Sequence, residues 1–254
     1  PETLDITGTK TWNDSNNQDG KRPKSITVNL LANGIITDTK TVTADDNWTY
    51  SFTDLPKYAN GQEITYTVSE LTVPGYTTTI DDNYNITNSY TPGETSASVT
   101  KIWDDADNQD GIRPESITVN LFADGTKLKS QSVSADADGN WSYSFTDLPK
   151  YANGQEITYT VTEDAVDGYT TESDGYNFIN THQPETTEIT VTKTWNDANN
   201  QDGKRPESIT VILLANGTEK TRQAVTADEA GNWTYTFKDL PKYAKWPGNH
   251  LHRS

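Results

Sequence analysis

One pattern, a strand followed by an acidic loop, occurs three times about 92 residues apart, and it restricts the chain to an array of like modules. The first copy is Ile6-Thr-Gly-Thr-Lys10-Thr-Trp12, running on through Asn13 and Asp14 to Asp19-Gly20 and Pro23. The second is Val99-Thr-Lys101-Ile-Trp103, followed by Asp105 to Pro114. The third is Val191-Thr-Lys193-Thr-Trp195, followed by Asp197 to Pro206. In each copy the lysine shares the strand phase of the apolar residues, because side chains two apart on a strand lie on one face. If the tryptophan points into a core, so does the lysine, and lysine is rarely buried unless paired.

The period divides the 254 residues into two complete repeats, 1–91 and 92–183, and an incomplete third, 184–244. A net charge of −17 and an apolar fraction of 31% would ordinarily lean towards disorder. Against that stand 7 Trp, 13 Tyr and 5 Phe, with apolar residues in strict alternation, a pattern that disorder has no reason to keep. Cysteine is absent, which excludes disulfides, thiolate zinc sites and cysteine nucleophiles. The acidic balance disfavours nucleic acid and anionic membrane as partners, and no apolar run reaches the roughly 18 residues of a membrane helix. Pro1-Glu2-Thr3 recurs at 184–186, on a repeat boundary, so the chain reads as an internal segment whose targeting signals lie elsewhere.

Seven strands are expected in the first repeat: 4–12, 25–31, 35–43, 48–53, 63–69, 76–80 and 84–90. Alternation is clear in Ile26/Val28/Leu30, Trp48/Tyr50/Phe52 and Ile64/Tyr66/Val68, and Asn33-Gly34, Asn60-Gly61 and Pro74-Gly75 supply turns between them. The second repeat matches with two extra residues in one loop, Ala135 to Asn140 against Ala44 to Asn47. Short strands at this spacing, with no helical period, predict an all-β fold of tandem β-sandwiches.

The third repeat follows the pattern to Ala244 and then departs. The expected Asn-Gly-Gln-Glu-Ile-Thr-Tyr-Thr-Val, as at 60–68, is replaced by Lys245-Trp-Pro-Gly-Asn-His-Leu-His-Arg253. Written as AAT GGC CAG GAA ATC ACC TAC ACC GT with one extra A in front, the expected peptide reads out all nine observed residues. Residues 245–254 are therefore expected to be a frame-shifted tail, which the coding DNA decides.

Further polar residues share the core phase. Ile64/Tyr66/Val68 leads to Glu70, and Ile157/Tyr159/Val161 leads to Glu163. Tyr84/Ile86 leads to Asn88, and Tyr176/Phe178 leads to Asn180. Each complete repeat thus sets one Lys, one Glu and one Asn inward on three strands. One reading is a buried Lys–Glu ion pair with Asn as hydrogen-bond partner, which adds little stability because desolvation offsets the attraction. The other is covalent. Burial lowers a lysine pKa and raises that of a glutamate, and a neutral amine is a nucleophile. A protonated Glu polarises the Asn carbonyl and shuttles the proton, ammonia leaves, and an amide joins the first strand to the last.

The acidic loops offer a weaker alternative, calcium at Asp14 and Asp19, or at Asp105, Asp107 and Asp110. The spacing is not that of an EF-hand, and a turn pairing Asp with Arg22 or Arg113 is the simpler expectation. Repeated Lys57, Lys150 and Lys242 are expected to be solvated. There is no Ser-His-Asp set, metal cluster or phosphate loop, so no cofactor and no enzyme activity on another substrate are expected.

Lys-x-Trp-x-Asp, Asn-Gln-Asp-Gly-x-Arg-Pro, Ser-Ile-Thr-Val, Asp-Leu-Pro-Lys-Tyr, Tyr-Thr-Val-x-Glu and the closing Asn together resemble the B-type repeat of Gram-positive collagen adhesins, the Cna B-type domain. The resemblance covers the chain to 244. It implies a prealbumin-like Greek-key sandwich of about seven strands in the stalk of an extracellular, cell-wall-anchored adhesin. It also implies a self-formed Lys–Asn isopeptide bond: Lys10 to Asn88 assisted by Glu70, and Lys101 to Asn180 assisted by Glu163. Lys193 lacks both partners, so the third repeat is expected to carry it unpaired. A stalk would contact its neighbouring repeats, with host extracellular matrix reached through other parts of the parent protein. The alternative is a module that itself binds matrix protein or glycan, which tight binding by one repeat alone would favour.

Overall fold

Ile26, Val28 and Leu30 alternate along one strand and are all buried, which fixes that strand's inward face. In the structure, a computed structural model that describes residues 1–244, the first repeat contains β1 (Thr3–Asn13), β2 (Ser25–Ala32), β3 (Ile35–Thr43) and β4 (Thr49–Pro56), then β5 (Tyr58–Ala59), β6 (Gln62–Glu63), β7 (Tyr66–Glu70), β8 (Thr77–Ile80) and β9 (Ile86–Ser89). One sheet has the order β4-β1-β9-β8 and the other β3-β2-β7, with β5 and β6 as a separate small hairpin. First and last strands pair in parallel, while the other ladders are antiparallel. Ile6, Tyr50, Phe52 and Ile86 from the first sheet meet Ile26, Val28, Leu30, Val42 and Val68 from the second in one core. The Asn33-Gly34 and Asn60-Gly61 turns hold both residues at positive φ, as two-residue hairpins require.

Two strand expectations change. The single strand over 63–69 is broken at Ile64-Thr65, because Gln62–Glu63 pairs back on Tyr58–Ala59 while Tyr66–Glu70 pairs with β2. Trp48 does not open β4. The short loop before it closes through a 3-10 turn (Ala44–Asp46), and Asn47 and Trp48 both take positive φ. Trp48 still packs edge-on against Trp12, at 5.2 Å between ring centroids. The two extra loop residues of the second repeat relieve this constraint, so Trp141 begins its strand and meets Trp103 at the same 5.2 Å.

Gly8 stands on β1 where the second repeat has Val99. A Cβ there would lie 2.3 Å from the Tyr84 carbonyl oxygen and 2.5 Å from the Tyr50 hydroxyl oxygen. The Tyr50 hydroxyl donates to that carbonyl through the space left by the missing side chain. Gly8→Val is expected to destabilise the first repeat by about 1–3 kcal/mol through overpacking. A urea midpoint equal to that of the parent would show that the cleft relaxes freely.

By contact the chain falls into two units. Pro1–Val99, Thr118–Val133 and Ser142–Glu163 form one, and Thr100–Ile117, Ser134–Trp141 and the chain from Asp164 form the other. The second repeat contributes to both. Its strands are β10 (Glu94–Asp104), β11 (Ile117–Ala123), β12 (Thr126–Val133), β13 (Trp141–Pro149), β14 (Tyr151–Ala152), β15 (Gln155–Glu156), β16 (Tyr159–Glu163), β17 (Thr170–Asp174) and β18 (Asn177–Thr181). Their orders, β13-β10-β18-β17 and β12-β11-β16, match those of the first repeat. The third repeat has β19 (Thr186–Lys193), β20 (Ile209–Ala215), β21 (Thr218–Val225) and β22 (Trp233–Pro241), in two two-stranded sheets. Among its described residues only Val225, Trp233 and Phe237 are buried apolar ones, while Ile189, Ile212 and Leu214 are exposed. The expected frame-shifted tail, 245–254, lies outside the described residues.

Candidate functional site

The parallel pairing of β1 with β9 sets Lys10 beside Ile86 and Trp12 beside Asn88. Asn88 therefore lies one same-face step beyond Lys10 on the adjoining strand. Lys10 is 5% exposed and Asn88 is fully buried. Glu70 comes from the other sheet, where it ends β7 opposite Val28. Its Oε1 lies 3.4 Å from Lys10 Nζ, and neither side chain has exposed surface. The Thr78 hydroxyl donates to Glu70 Oε2 at 2.9 Å, fixing the carboxylate from the far side. Lys10 and Glu70 thus meet across the two sheets, and Asn88 is buried on the strand beside Lys10.

Burial is the largest influence on the Lys10 amine, and it lowers the pKa to about 8 although the Glu70 carboxylate pulls the other way. Near neutral pH a useful fraction of this amine is therefore uncharged and nucleophilic. The Asn88 amide is the anomaly. Both Oδ1 and Nδ2 are buried, and neither has a hydrogen-bond partner. Leaving such groups unsatisfied ordinarily costs about 1–3 kcal/mol each.

The second repeat keeps the same ladder registers. On β10 and β18, again parallel, Lys101 pairs with Phe178 and Trp103 with Asn180, and both polar residues are buried. Glu163 ends β16 opposite Val119, as Glu70 does opposite Val28. The third repeat differs. Lys193 is exposed rather than inward, because no strand corresponding to β7, β8 or β9 is present among the described residues to face it. Its Nζ rests 4.5 Å above the Trp195 ring.

The acidic loops are built as capped turns. Asp14 accepts from Arg22 Nη2 at 2.6 Å and Nε at 3.0 Å, from the Asn17 N–H at 2.9 Å and from the Tyr76 hydroxyl at 2.9 Å. Asp105 does the same with Arg113, Asn108 and Tyr169. Asp19 and Asp110 accept from the linkers that leave their repeats, and Asp107 is exposed. These carboxylates face N–H and O–H donors, which favours the Arg-paired turn over a calcium loop. No group of three or more acidic or histidine side chains among the described residues is placed to hold a metal. Sequence reasoning missed the tyrosines of these hubs. Their signal was a tyrosine after glycine at the same place in both repeats, Gly75-Tyr76 and Gly168-Tyr169. The turn lysines were expected to be solvated. Lys57 and Lys150 are half-buried, and Lys57 reaches Glu2 at 3.4 Å.

The model of the Cna protein B-type domain matches residues 6–89, 97–181 and 189–251. The chain belongs to the Cna B-type family. The collagen adhesin of Staphylococcus aureus is 50% identical over 249 residues, which are 96% of this chain and 21% of that protein. The chain thus spans about a fifth of that relative's length. A crystal structure of two B repeat units of the S. aureus collagen binding protein aligns with a TM-score of 0.53 at 50% identity, covering 96% of this chain and 66% of that one. The B-type repeats here are tandem β-sandwiches, and the third is shorter than its neighbours.

Proposed function

We propose that this chain is a spacer from the stalk of a Gram-positive, wall-anchored surface adhesin, with each complete B-type repeat locked by a Lys–Asn isopeptide bond. The repeats are taken as 1–91, 92–183 and the incomplete 184–244. The observation that carries this reading is the buried, partnerless Asn88 amide, one same-face step along the paired strand from a buried amine of lowered pKa. Lys10 passes its ammonium proton to Glu70, 3.4 Å away, and the freed Nζ lone pair attacks Asn88 Cγ while the Glu70 carboxyl hydrogen-bonds Oδ1 and steadies the developing oxyanion. Glu70 then relays a proton from the attacking nitrogen to Nδ2, and the C–Nδ2 bond breaks to release ammonia. The ammonia carries off the proton that Glu70 took up, and Lys10 and Asn88, both of this chain, are consumed, so the step is intramolecular and single-turnover. Lys101, Asn180 and Glu163 take the same roles in the second repeat, and Lys193 takes none.

The bond suits a spacer. A pull on the array enters the repeat at its first strand and leaves at its last, so a tie between them carries the load past the rest of the sandwich. It does this without cysteine or an oxidant. The partners in this reading are the neighbouring repeats, with matrix contact made by other parts of the parent adhesin. Intact mass spectrometry tests the proposal. The expected mass is the sequence mass less one ammonia for each complete repeat, two in all, and an undiminished mass would refute it.

A further inference from the structure

The residue just past the closing strand differs between the two complete repeats. Tyr90 and His182 hold the same position: the Tyr90 N–H donates to the Asn13 carbonyl and the His182 N–H to the Asp104 carbonyl, each at 2.9 Å. Each side chain reaches the second acid of its acidic loop. In the first repeat the Tyr90 hydroxyl donates to Asp19 Oδ2 at 2.9 Å, and the same oxygen accepts the Gly93 N–H of the linker at 2.8 Å. In the second, His182 Nε2 lies 2.9 Å from Asp110 Oδ2, which accepts the Glu185 N–H of the next linker at 2.8 Å. That linker is in turn held by the third repeat, through the Lys242 N–H on the Glu185 carbonyl at 3.0 Å and a Lys242–Glu185 ion pair.

The histidine ring has acceptors on both sides. Nε2 faces the Asp110 carboxylate, and Nδ1 faces the Gly168 carbonyl oxygen at 2.8 Å. A neutral imidazole carries one N–H, so one nitrogen would turn a lone pair towards another lone pair. Only the imidazolium satisfies both contacts. The surroundings agree. From the acidic loop come Asp110 and Asp105, the latter held by Arg113; from the segment before β17 comes the Tyr169 ring, 5.5 Å away; from the linker and the third repeat come Glu185 and Lys242. The half-buried side chain sits among more nearby anion than cation.

We propose that the linker between the second and third repeats is a proton-gated clamp, closed while His182 is an imidazolium bridging Asp110 and Gly168 and open when it loses a proton. The linker between the first and second repeats, clamped by the Tyr90 phenol, has no such gate near neutral pH. Two groups set the sign. The hydrogen bond to Asp110 raises the His182 pKa above 6.5, so the clamp is complete below that value and is lost as pH rises through the higher folded value. Burial pushes Asp110 up, but His182, the Glu185 N–H and Lys242 hold it below 3.8, so the clamp is also lost at the acid end as pH falls through that lowered value.

The test uses the full chain, which has three histidines. Proton NMR of the imidazoles, with His182 assigned by its disappearance in His182→Tyr, should give a His182 midpoint above 6.5. Because cysteine is absent, spin labels can be placed on Ser173→Cys and Thr226→Cys, both exposed. The label-to-label distance distribution should be narrow at about pH 5.5 and broader at about pH 8.5. His182→Tyr, which copies the first joint, should stay narrow at both values, and His182→Gln should be broad at both. A midpoint at or below 6.5, a distribution that ignores pH, or a His182→Tyr protein that still responds would each overturn the proposal.

Discussion

Glu70→Ala is expected to leave the first repeat folded but uncross-linked, with a melting temperature lowered by roughly 20–30 °C. In the proposed chemistry Glu70 moves the proton and steadies the oxyanion. Without it Lys10 and Asn88 keep their places on the paired strands, but the amine has no acid to assist ammonia's departure. The bond that fails to form would close a loop from the first strand to the last. By analogy with a disulfide, a loop of roughly 80 residues contributes about 4–5 kcal/mol by restricting the unfolded chain. A domain of this size shifts by roughly 4–8 °C for each kcal/mol. The second repeat serves as the internal control, since its transition should not move. Calorimetry and intact mass together decide it: the variant should regain one ammonia relative to the parent. A melting curve and an ammonia deficit both unchanged would remove Glu70 from the chemistry.

Asp14→Ala is the second large effect, expected to cost the first repeat about 3–5 kcal/mol. Asp14 is 2% exposed and gathers a forked Arg22, the Tyr76 hydroxyl and the Asn17 N–H. Truncation leaves a guanidinium and a phenol facing an empty site beneath Trp12, over whose ring Arg22 lies at 5.5 Å. Burial pushes the Asp14 carboxyl up, but Arg22, the Asn17 N–H and Tyr76 outweigh it and hold the pKa below 3.8. The contribution is therefore complete above that value and fades as pH falls through the lowered one. Urea unfolding near neutral pH is the measurement, and a loss under about 1 kcal/mol would reduce Asp14 to an ordinary surface pair.

Much of this was legible in the chain because a strand reports its faces in every second residue. Lys10, Glu70 and Asn88 were marked as inward by phase alone, and all three side chains are buried. Phase cannot show what stands opposite, which is why Lys193 read as inward and is exposed. Its inwardness needs strands that the described part of the third repeat lacks. Trp48 misled for a related reason, since alternation with Tyr50 and Phe52 carries no information about a loop too short to enter the strand without positive φ. The hubs on Asp14 and Asp105 were half visible. Their arginines lie nearby in sequence, but Tyr76 and Tyr169 arrive from more than sixty positions away. The linker contacts of Asp19 and Asp110 had no periodic signal at all.

The parallel partnership of β1 and β9 also settles where the polypeptide goes. The chain enters at Thr3 and departs from Ser89, whose ladder partner is Asn13 at the far tip of β1. At roughly 3.3 Å per residue, the 11-residue β1 separates those two points by about 35 Å. Had the first and last strands run antiparallel, the exit would have come back beside the entrance and the module would have added almost no reach. As it is, the first repeat converts about ninety residues into a fixed stride from its point of entry to its point of exit.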